Sequence, residues 1–286
     1  MSDAVAAVEA VLSLPHDKLD YARAKIAFDR IIDPSIDEQW VLAELDGLTE
    51  RARELAGASA RDNAKLNALH KLIYRSGPWN EHRPFSYDHD DPLGQGICRK
   101  LLSNYLRTRL GQCVSMPILY LILAERLGLA VALSSAPDHL FVRYSNENGR
   151  IINLETTSGA LPAREEWMRQ CFSITDVALK SGLYLRSFSK REAIGRTAST
   201  ANEYLMEQGR YEEVAGVSAA ILRRWPRDDH ALLSFGSAYG HLIEEFRKKY
   251  PTALLIPPPL RHEHRRMVQL NDGAFEAVKA LGWQPR

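Results

Sequence analysis

GQCVSMPILYLILAERLG, residues 111 to 128, is the most informative stretch of this 286-residue chain. From Cys113 to Leu127 nearly every position is apolar, and a helix that is apolar all round lies buried in a core. Gly128 is suited to end the helix, because glycine readily takes the left-handed conformation found there. The stretch therefore predicts a buried central helix over residues 113–127, with a thiol at its first position.

Three short strands are predicted after this helix, over residues 130–134, 140–144 and 151–155. The last two flank Asn146-Glu147-Asn148-Gly149, whose Asn-Gly pair suits the positive φ of a hairpin turn. Helix, strand and hairpin together predict an α+β core.

The register of this hairpin decides which polar side chains meet. If the turn is centred near Glu147, the numbers of paired residues sum to about 294. Glu155 then lies opposite His139, and Asn153 lies one step along on the same face. A four-residue loop would instead turn both side chains away from the histidine.

Helices are predicted on both sides of this core. Residues 3–55 have helical spacing, with a break at Asp33-Pro34-Ser35 and with Ser35 or Asp37 as the cap of the next helix. A helix over 60–74, an irregular segment over 79–96 and a helix over 97–110 follow. Beyond Phe188 the pattern resembles one tetratricopeptide-like helix pair, and a short helix is predicted over 274–281. We expect a helical N-terminal region over 1–94, the α+β core over 95–188 and a helical tail over 189–286.

Cys113, His139 and a polar residue of the next strand occur in the order of a cysteine-nucleophile site. The free N–H groups at a helix start stabilise a thiolate, which is the form that attacks a carbonyl carbon. An imidazole beside the sulfur would serve as base, and a third polar group would hold the ring in place. Glu155 is the favoured third residue and Asn153 the second choice.

An oxyanion hole would complete such a site, and it needs hydrogen-bond donors aimed at the developing negative charge. The backbone N–H of Cys113 is expected to supply one donor. Gln112, or a polar group near Gln95, is expected to supply the other. These two glutamines are therefore the candidate oxyanion or substrate-binding residues.

The other thiols and imidazoles favour different roles. Cys98 and Cys171 are interpreted as structural, and His262 and His264 as solvated. One group of acidic and histidine residues could bind a metal, but this interpretation is less favoured, because the group lies in an irregular segment and lacks the spacing of metal ligands. The group consists of His82, Asp88, His89, Asp90 and Asp91.

Composition names no partner. The 37 Lys and Arg residues nearly balance the 36 Asp and Glu residues, which gives no basic excess for nucleic acid. The chain start lacks the pattern of a secretory signal, and no apolar run is long enough for a membrane span. We expect a cytoplasmic protein with no nucleic-acid or membrane partner, and with no cofactor, because no nucleotide or calcium motif is visible.

These motifs resemble the transglutaminase-like superfamily, and more closely its bacterial SirB1-type branch. The resemblance rests on Gly111-Gln112-Cys113 opening an apolar helix, on Pro137-Asp138-His139 and on Ile152-Asn153-Leu154-Glu155. It extends over about residues 15 to 245, including Ala22-Arg23-Ala24-Lys25, Ile32-Asp33-Pro34, Ser103-Asn104-Tyr105-Leu106 and the tetratricopeptide-like tail.

The resemblance implies a papain-like fold and thioester chemistry, with Cys113 as nucleophile and His139 as base. The usual Asp of the family falls on Asn153, which departs from it, and Glu155 could supply the missing charge. Many SirB1-type members lack the cysteine, so its presence here favours retained catalysis.

Two functions follow. The favoured one is a cysteine-dependent hydrolase or acyltransferase (an amidase, peptidase or transglutaminase-type enzyme) acting on a peptide or protein amide. The alternative is a catalytically inactive scaffold that holds a protein partner through its C-terminal helices.

Overall fold

The computed structural model describes residues 2–57 and 61–285. Residue contacts group them into two units, each assembled from segments that are separate in the sequence. The α+β unit comprises His16–Ile174 and Tyr184–Thr197, and the helical unit comprises the residues up to Pro15, Thr175–Leu183 and the residues from Ala198 onward. The division at residues 94 and 188 stays a prediction.

The secondary structure combines many helices with short strands. The α-helices of the described residues are α1 (Asp3–Leu12), α2 (Tyr21–Ile32), α3 (Glu38–Ala56), α4 (Asp62–Tyr74), α5 (Leu102–Thr108), α6 (Ser115–Arg126), α7 (Glu165–Cys171), α8 (Asp176–Lys180), α9 (Lys190–Thr197), α10 (Ser199–Glu207), α11 (Tyr211–Arg224), α12 (Asp229–Lys249) and α13 (Arg261–Ala280). The strands are β1 (Ser86–Tyr87), β2 (Leu110–Gly111), β3 (Val131–Ala136), β4 (His139–Ser145), β5 (Ile151–Glu155) and β6 (Leu161–Ala163). This mixture confirms the α+β class.

The predicted central helix is α6, and it is buried along almost its whole length. Each residue from Ser115 to Ala124 is buried. It packs against α5 and against β3 and β4 of the sheet. Gly128 has a φ of +69° just after the helix, which confirms it as the terminating residue.

β3, β4, β5 and β6 form an antiparallel sheet in chain order. The three predicted strands are confirmed, but the predicted register is wrong by two residues. Arg143 pairs with Asn153 and Val142 with Leu154, so paired numbers sum to 296 rather than 294. The turn is longer than assumed, because β4 ends at Ser145 and β5 begins at Ile151. Both sums are even, so the same side chains still share a face.

The segment before α6 differs from its prediction. The single helix expected over 97–110 is wrong, because a 3-10 turn over Ile97–Lys100, α5 and β2 occupy it. Arg109 ends α5 with a φ of +61°. β2 then pairs in parallel with β1, and β1 lies inside the segment 79–96 that is predicted to be irregular.

The N-terminal helices follow their predictions closely. Asp37 caps α3 by accepting a hydrogen bond from the Trp40 N–H at 3.1 Å, whereas Ser35 hydrogen-bonds to Asp33. Of the two candidate caps, Asp37 is therefore the one used. The first residue of the helix predicted over 60–74, Ala60, lies outside the described residues.

In the helical unit, α10 and α11 form the predicted helix pair, and α1 and α12 both pack against α11. The short helix predicted over 274–281 is wrong in length, because α13 begins at Arg261. No helix in the described ranges has both the length and the apolar character that a membrane crossing requires.

Candidate active site

Three elements of the α+β unit bring the predicted site residues together. Cys113 lies in the turn before α6, His139 is the first residue of β4 and Glu155 is the last residue of β5. The site thus joins the start of the buried helix to one end of the sheet.

The turn that carries Cys113 belongs to the helix by its hydrogen bonds. The Gln112 C=O accepts from the Met116 N–H at 3.0 Å, which is the spacing of an α-helical bond. The Gln112 N–H donates to Ser115 Oγ at 2.9 Å. Cys113 therefore lies in the first helical turn, although the regular helix begins at Ser115 rather than at the predicted residue.

Gly111 is required by the close packing of this turn. A Cβ at this position would lie 2.5 Å from Tyr105 Cε2 and 2.9 Å from Met116 Cγ. Since real carbon contacts of this kind lie beyond 3 Å, only glycine lets the chain pass between these two side chains.

A tight turn delivers His139 to the sulfur. Ala136 pairs with His139, so Pro137 and Asp138 alone connect β3 to β4. Asp138 has a φ of +55°, which aspartate tolerates better than most residues. The Asp138 C=O lies 3.9 Å from Cys113 Sγ and accepts a weak hydrogen bond from the thiol.

The imidazole of His139 is held between the sulfur and a carboxylate. His139 Nε2 lies 2.7 Å from Glu155 Oε2, and the two side chains are only 12% and 7% exposed. Burial lowers the pKa of His139, but hydrogen bonds and charge from Cys113 and Glu155 outweigh burial and raise this pKa to about 9. Because Nε2 faces Glu155, Nδ1 is the ring nitrogen left for Cys113.

Glu155 is held in its charged form. Burial raises its pKa, but hydrogen bonds with His139 and Thr157 outweigh burial, so that the pKa lies below its usual value. Thr157 donates to Glu155 Oε1 from its N–H at 3.0 Å and from its hydroxyl at 2.7 Å. One carboxylate oxygen therefore binds Thr157 and the other binds His139.

Asn153 lies farther along the same strand. It pairs with Arg143 and with Ala163, and its Nδ2 donates to the Ala163 C=O at 3.4 Å. Of the two candidates for the third position, Glu155 is the one that contacts the imidazole.

The two glutamines lie on the loop side of the site. Gln112 is fully buried, and its Nε2 donates to the C=O groups of Asp91 at 2.7 Å and Asp88 at 3.5 Å. Both of its amide hydrogens are thus directed at the loop. Gln95 is exposed, and its backbone N–H donates to Asp91 Oδ1 at 2.8 Å.

Phe172 is a site residue that the sequence reasoning missed. Its ring stacks on the imidazole of His139, with ring centroids 4.7 Å apart and planes 18° apart. It follows α7 and is distant from His139 in the chain, so no local pattern signals the contact. Thr157 had a signal, since it follows Glu155 by two residues.

The remaining thiols require a correction. Cys98 and Cys171 are exposed, so neither packs in the core as a structural thiol would.

In the candidate metal group, Asp88 is buried, and its carboxylate binds Arg99 at 2.5 Å and the Asp90 N–H at 3.1 Å. Over residues 2–57 and 61–285, no cluster of three or more acidic, histidine or cysteine side chains could hold a metal.

Comparisons with known proteins identify relatives. Residues 39–199, more than half of the chain, match the family model described as Transglutaminase-like superfamily. A UPF0162 protein of Buchnera aphidicola subsp. Schizaphis graminum is 25% identical over 237 residues, which cover 80% of this chain and 83% of that protein. Protein SirB1 of Salmonella typhimurium is 26% identical over 207 residues, covering 71% and 73% respectively. No solved structure gives a significant match. The residues matched by the family model include Cys113, His139 and Glu155.

Proposed function

Since this chain belongs to the transglutaminase-like superfamily and resembles its SirB1-type members, we propose that it is a cysteine-nucleophile acyl-transfer enzyme. The observation that carries the proposal is the buried His139–Glu155 contact of 2.7 Å beside the Cys113 thiol. The expected substrate is a peptide or protein amide.

The proposed first step forms a thioester. The thiol proton of Cys113 passes to His139 Nδ1, the sulfur attacks the amide carbon, the C–N bond breaks, and Nδ1 gives this proton to the departing amine. In the second step a water molecule or a second amine attacks the thioester carbon and loses a proton to Nδ1, and the C–S bond breaks to release the product and return the Cys113 thiolate. The raised pKa of His139 suits this cycle, because the ring holds its proton until the leaving group needs it.

Glu155 is the proposed orienting residue. A carboxylate on Nε2–H fixes the tautomer that leaves Nδ1 toward the sulfur, and it balances the charge of the imidazolium. Thr157 holds this carboxylate in place through two hydrogen bonds. Asn153 occupies the position of the family's usual Asp, and its proposed role is structural, through its hydrogen bond to the Ala163 C=O.

The oxyanion is proposed to bind the backbone N–H of Cys113 at the start of the helix. The side chain of Gln112 is committed to the Asp91 and Asp88 carbonyls, so its part is to fix the loop beside the site. Gln95 is exposed, and a contact with substrate from this position would come from its side chain.

The test uses a chain with Cys98→Ser and Cys171→Ser, because both of these thiols are exposed and would react themselves. p-Nitrophenyl acetate should release one equivalent of p-nitrophenolate rapidly, and Cys113 should carry an acetyl group by mass spectrometry. Cys113→Ala should abolish the burst, and His139→Gln should slow it at least about 100-fold. A burst of equal size and rate in His139→Gln would overturn the proposal.

A scaffold is the competing function, supported by the α10–α11 helix pair, which resembles a peptide-binding repeat. The two hypotheses differ in what a host with a chromosomal Cys113→Ala substitution would show. If the substitution reproduces the phenotype that loss of the whole protein causes, the enzyme is supported. If the host with the substitution behaves as the unaltered host does, the scaffold is supported.

A further inference from the structure

Three apolar side chains neighbour the candidate site: Phe172 contacts the imidazole, Trp167 contacts Phe172 and Leu161 pairs with Glu155. Leu161 is 64% exposed and Trp167 is 46% exposed, while Phe172 stacks on His139. We call Leu161, Trp167 and Phe172 the apolar wall. Large apolar side chains exposed next to a buried polar site are typical of a surface that binds a ligand.

The members of the wall are continuous with the site. Trp167 meets Phe172 edge to face, with ring centroids 6.5 Å apart and planes at 85°. Leu161 is the β6 partner of Glu155, and directly paired residues of antiparallel strands point to the same face. The wall therefore touches His139 through Phe172 and adjoins Glu155 through Leu161.

The direction of proton transfer decides which half of a substrate lies here. The departing amine must approach the ring nitrogen that gives it a proton, so the amine half of the amide lies on the histidine side of the sulfur. The acyl half is bonded to the sulfur and extends away from the imidazole. A wall that covers one face of this imidazole thus lies beside the amine half.

We propose that the apolar wall is a subsite for an aromatic or aliphatic group on the amine half of the substrate amide. This inference rests on the proposed acyl-transfer function. It names a substrate class: amides that release an amine with a large apolar group next to the reacting nitrogen. An amine that attacks the thioester enters by the same route, because the reverse of departure passes through the same transition state.

The experiment measures which amines capture the acetyl group of the thioester. In the Cys98→Ser, Cys171→Ser chain, the Cys113 sulfur bonds to the acetyl carbon of p-nitrophenyl acetate as p-nitrophenolate leaves with the electron pair of its C–O bond. Glycine amide, leucine amide or phenylalanine amide is then added. The amine nitrogen bonds to the acetyl carbon, the thiolate leaves, and the proton of the amine passes to His139 Nδ1.

The ratio of N-acetyl amino acid amide to acetate, measured by chromatography, gives the preference for each amine over water. We expect phenylalanine amide and leucine amide to be captured about tenfold or more better than glycine amide, because an apolar group gains that much in a partly open apolar site. Trp167→Ala should reduce this discrimination to less than about threefold.

The matched control is Ile151→Ser, since Ile151 is 50% exposed on β5 but lies at the end opposite Glu155. It should retain the full discrimination. Equal capture of the three amines by the Cys98→Ser, Cys171→Ser chain, which keeps Trp167, overturns the subsite. Amine discrimination that survives Trp167→Ala overturns it as well. The chain could instead prefer p-nitrophenyl hexanoate to p-nitrophenyl acetate. If Trp167→Ala removes that preference, the wall is assigned to the acyl half.

Two further outcomes are separable. If light scattering shows a dimer that Trp167→Ala converts to a monomer, the wall is a contact between copies of the chain and the subsite is wrong. If p-nitrophenolate is released without a burst, the proposed function itself fails. A normal burst with no amine discrimination overturns the subsite alone.

Discussion

His139 is the residue on which the other side chains of the candidate site converge. The Cys113 side chain hydrogen-bonds to its ring, Glu155 binds its Nε2 and Phe172 covers one of its faces. The ionisation of this single imidazole therefore reports on the whole arrangement.

Glu155→Gln should lower the pKa of His139 from about 9 toward its ordinary range near 6.5. The substitution removes a negative charge and leaves the burial that disfavours the imidazolium. The measurement is an NMR pH titration of the His139 ring signal, assigned by its loss in His139→Gln. Asn153→Ala is the control and should leave the midpoint near 9, because Asn153 bonds to Ala163 rather than to the ring. A midpoint unchanged in Glu155→Gln would contradict the assignment.

The same ring should make stability depend on pH. The folded-state pKa of His139, about 9, exceeds the unfolded value of about 6.5, so protonation stabilises the fold fully below pH 6.5 and this contribution disappears as the pH rises through 9. The urea midpoint of the wild type should therefore fall more steeply between pH 6.5 and 9.5 than that of His139→Gln. Parallel curves for the two proteins would show that the raised pKa is absent.

At this scale the sequence predicts the polar residues and misses the aromatic one. Chain order and the two-residue periodicity of a strand are local properties, so Cys113, His139 and Glu155 could be identified from them. The stacking of Phe172 on His139 depends on how the chain after α7 returns to the sheet. Nothing near Phe172 in the sequence records that path.

Among the elements, the turn before α6 fixes the sulfur through a close passage of the backbone. Gly111→Ala would place a Cβ 2.5 Å from the Tyr105 ring, which should destabilise the fold by about 1–3 kcal/mol in urea unfolding. It should also slow the alkylation of Cys113 by iodoacetamide. The matched change is Gly47→Ala within α3, where the nearest atoms are 3.6 Å away on the flexible Arg51 side chain. That substitution should stabilise the protein by about 0.5–1 kcal/mol. Equal effects of the two changes would contradict the close-packing argument.

The hairpin between β3 and β4 offers a second test of geometry. Asp138 has a φ of +55°, so Asp138→Gly should retain the acylation burst, whereas Asp138→Val should weaken it and destabilise the fold by about 1–2 kcal/mol. Burst amplitude and urea midpoint measure the two effects. A burst that is lost in the glycine variant as well would show that the aspartate side chain, not the turn, is needed.

Element prediction succeeds where burial dominates and fails where pairing decides. α6 was predictable because its apolar side chains surround it on all sides. The hairpin register was not, because the length of the loop decides which residues pair, and a shift of two residues leaves the alternation of faces unchanged. The extent of α13 was hidden as well, since its first half is mostly polar.

At the scale of the whole molecule, segments that pack together are often distant in the sequence. Local patterns indicate which helices form, but not which helix each one meets, and α9 shows the consequence. It follows the last segment of the sheet by many residues, yet it packs against α2 and β3 in the α+β unit.

A chain that ends at Thr197 should keep cooperative unfolding of the α+β unit, and a chain that ends at Phe188 should lose it. The shorter chain lacks α9, whose Ala193 and Ile194 are fully buried. Urea unfolding followed by tryptophan fluorescence, together with the rate of Cys113 alkylation, measures the difference. Similar midpoints for the two truncated chains would contradict the assignment of α9 to this unit.

The packing of α1 against α11 also dictates an order of events during synthesis. α1 leaves the ribosome about 200 residues before its partner, a delay of roughly 10–40 s at ~5–20 residues per second. Its apolar side chains Val8 and Leu12, fully covered in the finished protein, face water during that interval. Until α11 has been synthesised, α1 therefore exposes an apolar face that can associate with other apolar surfaces.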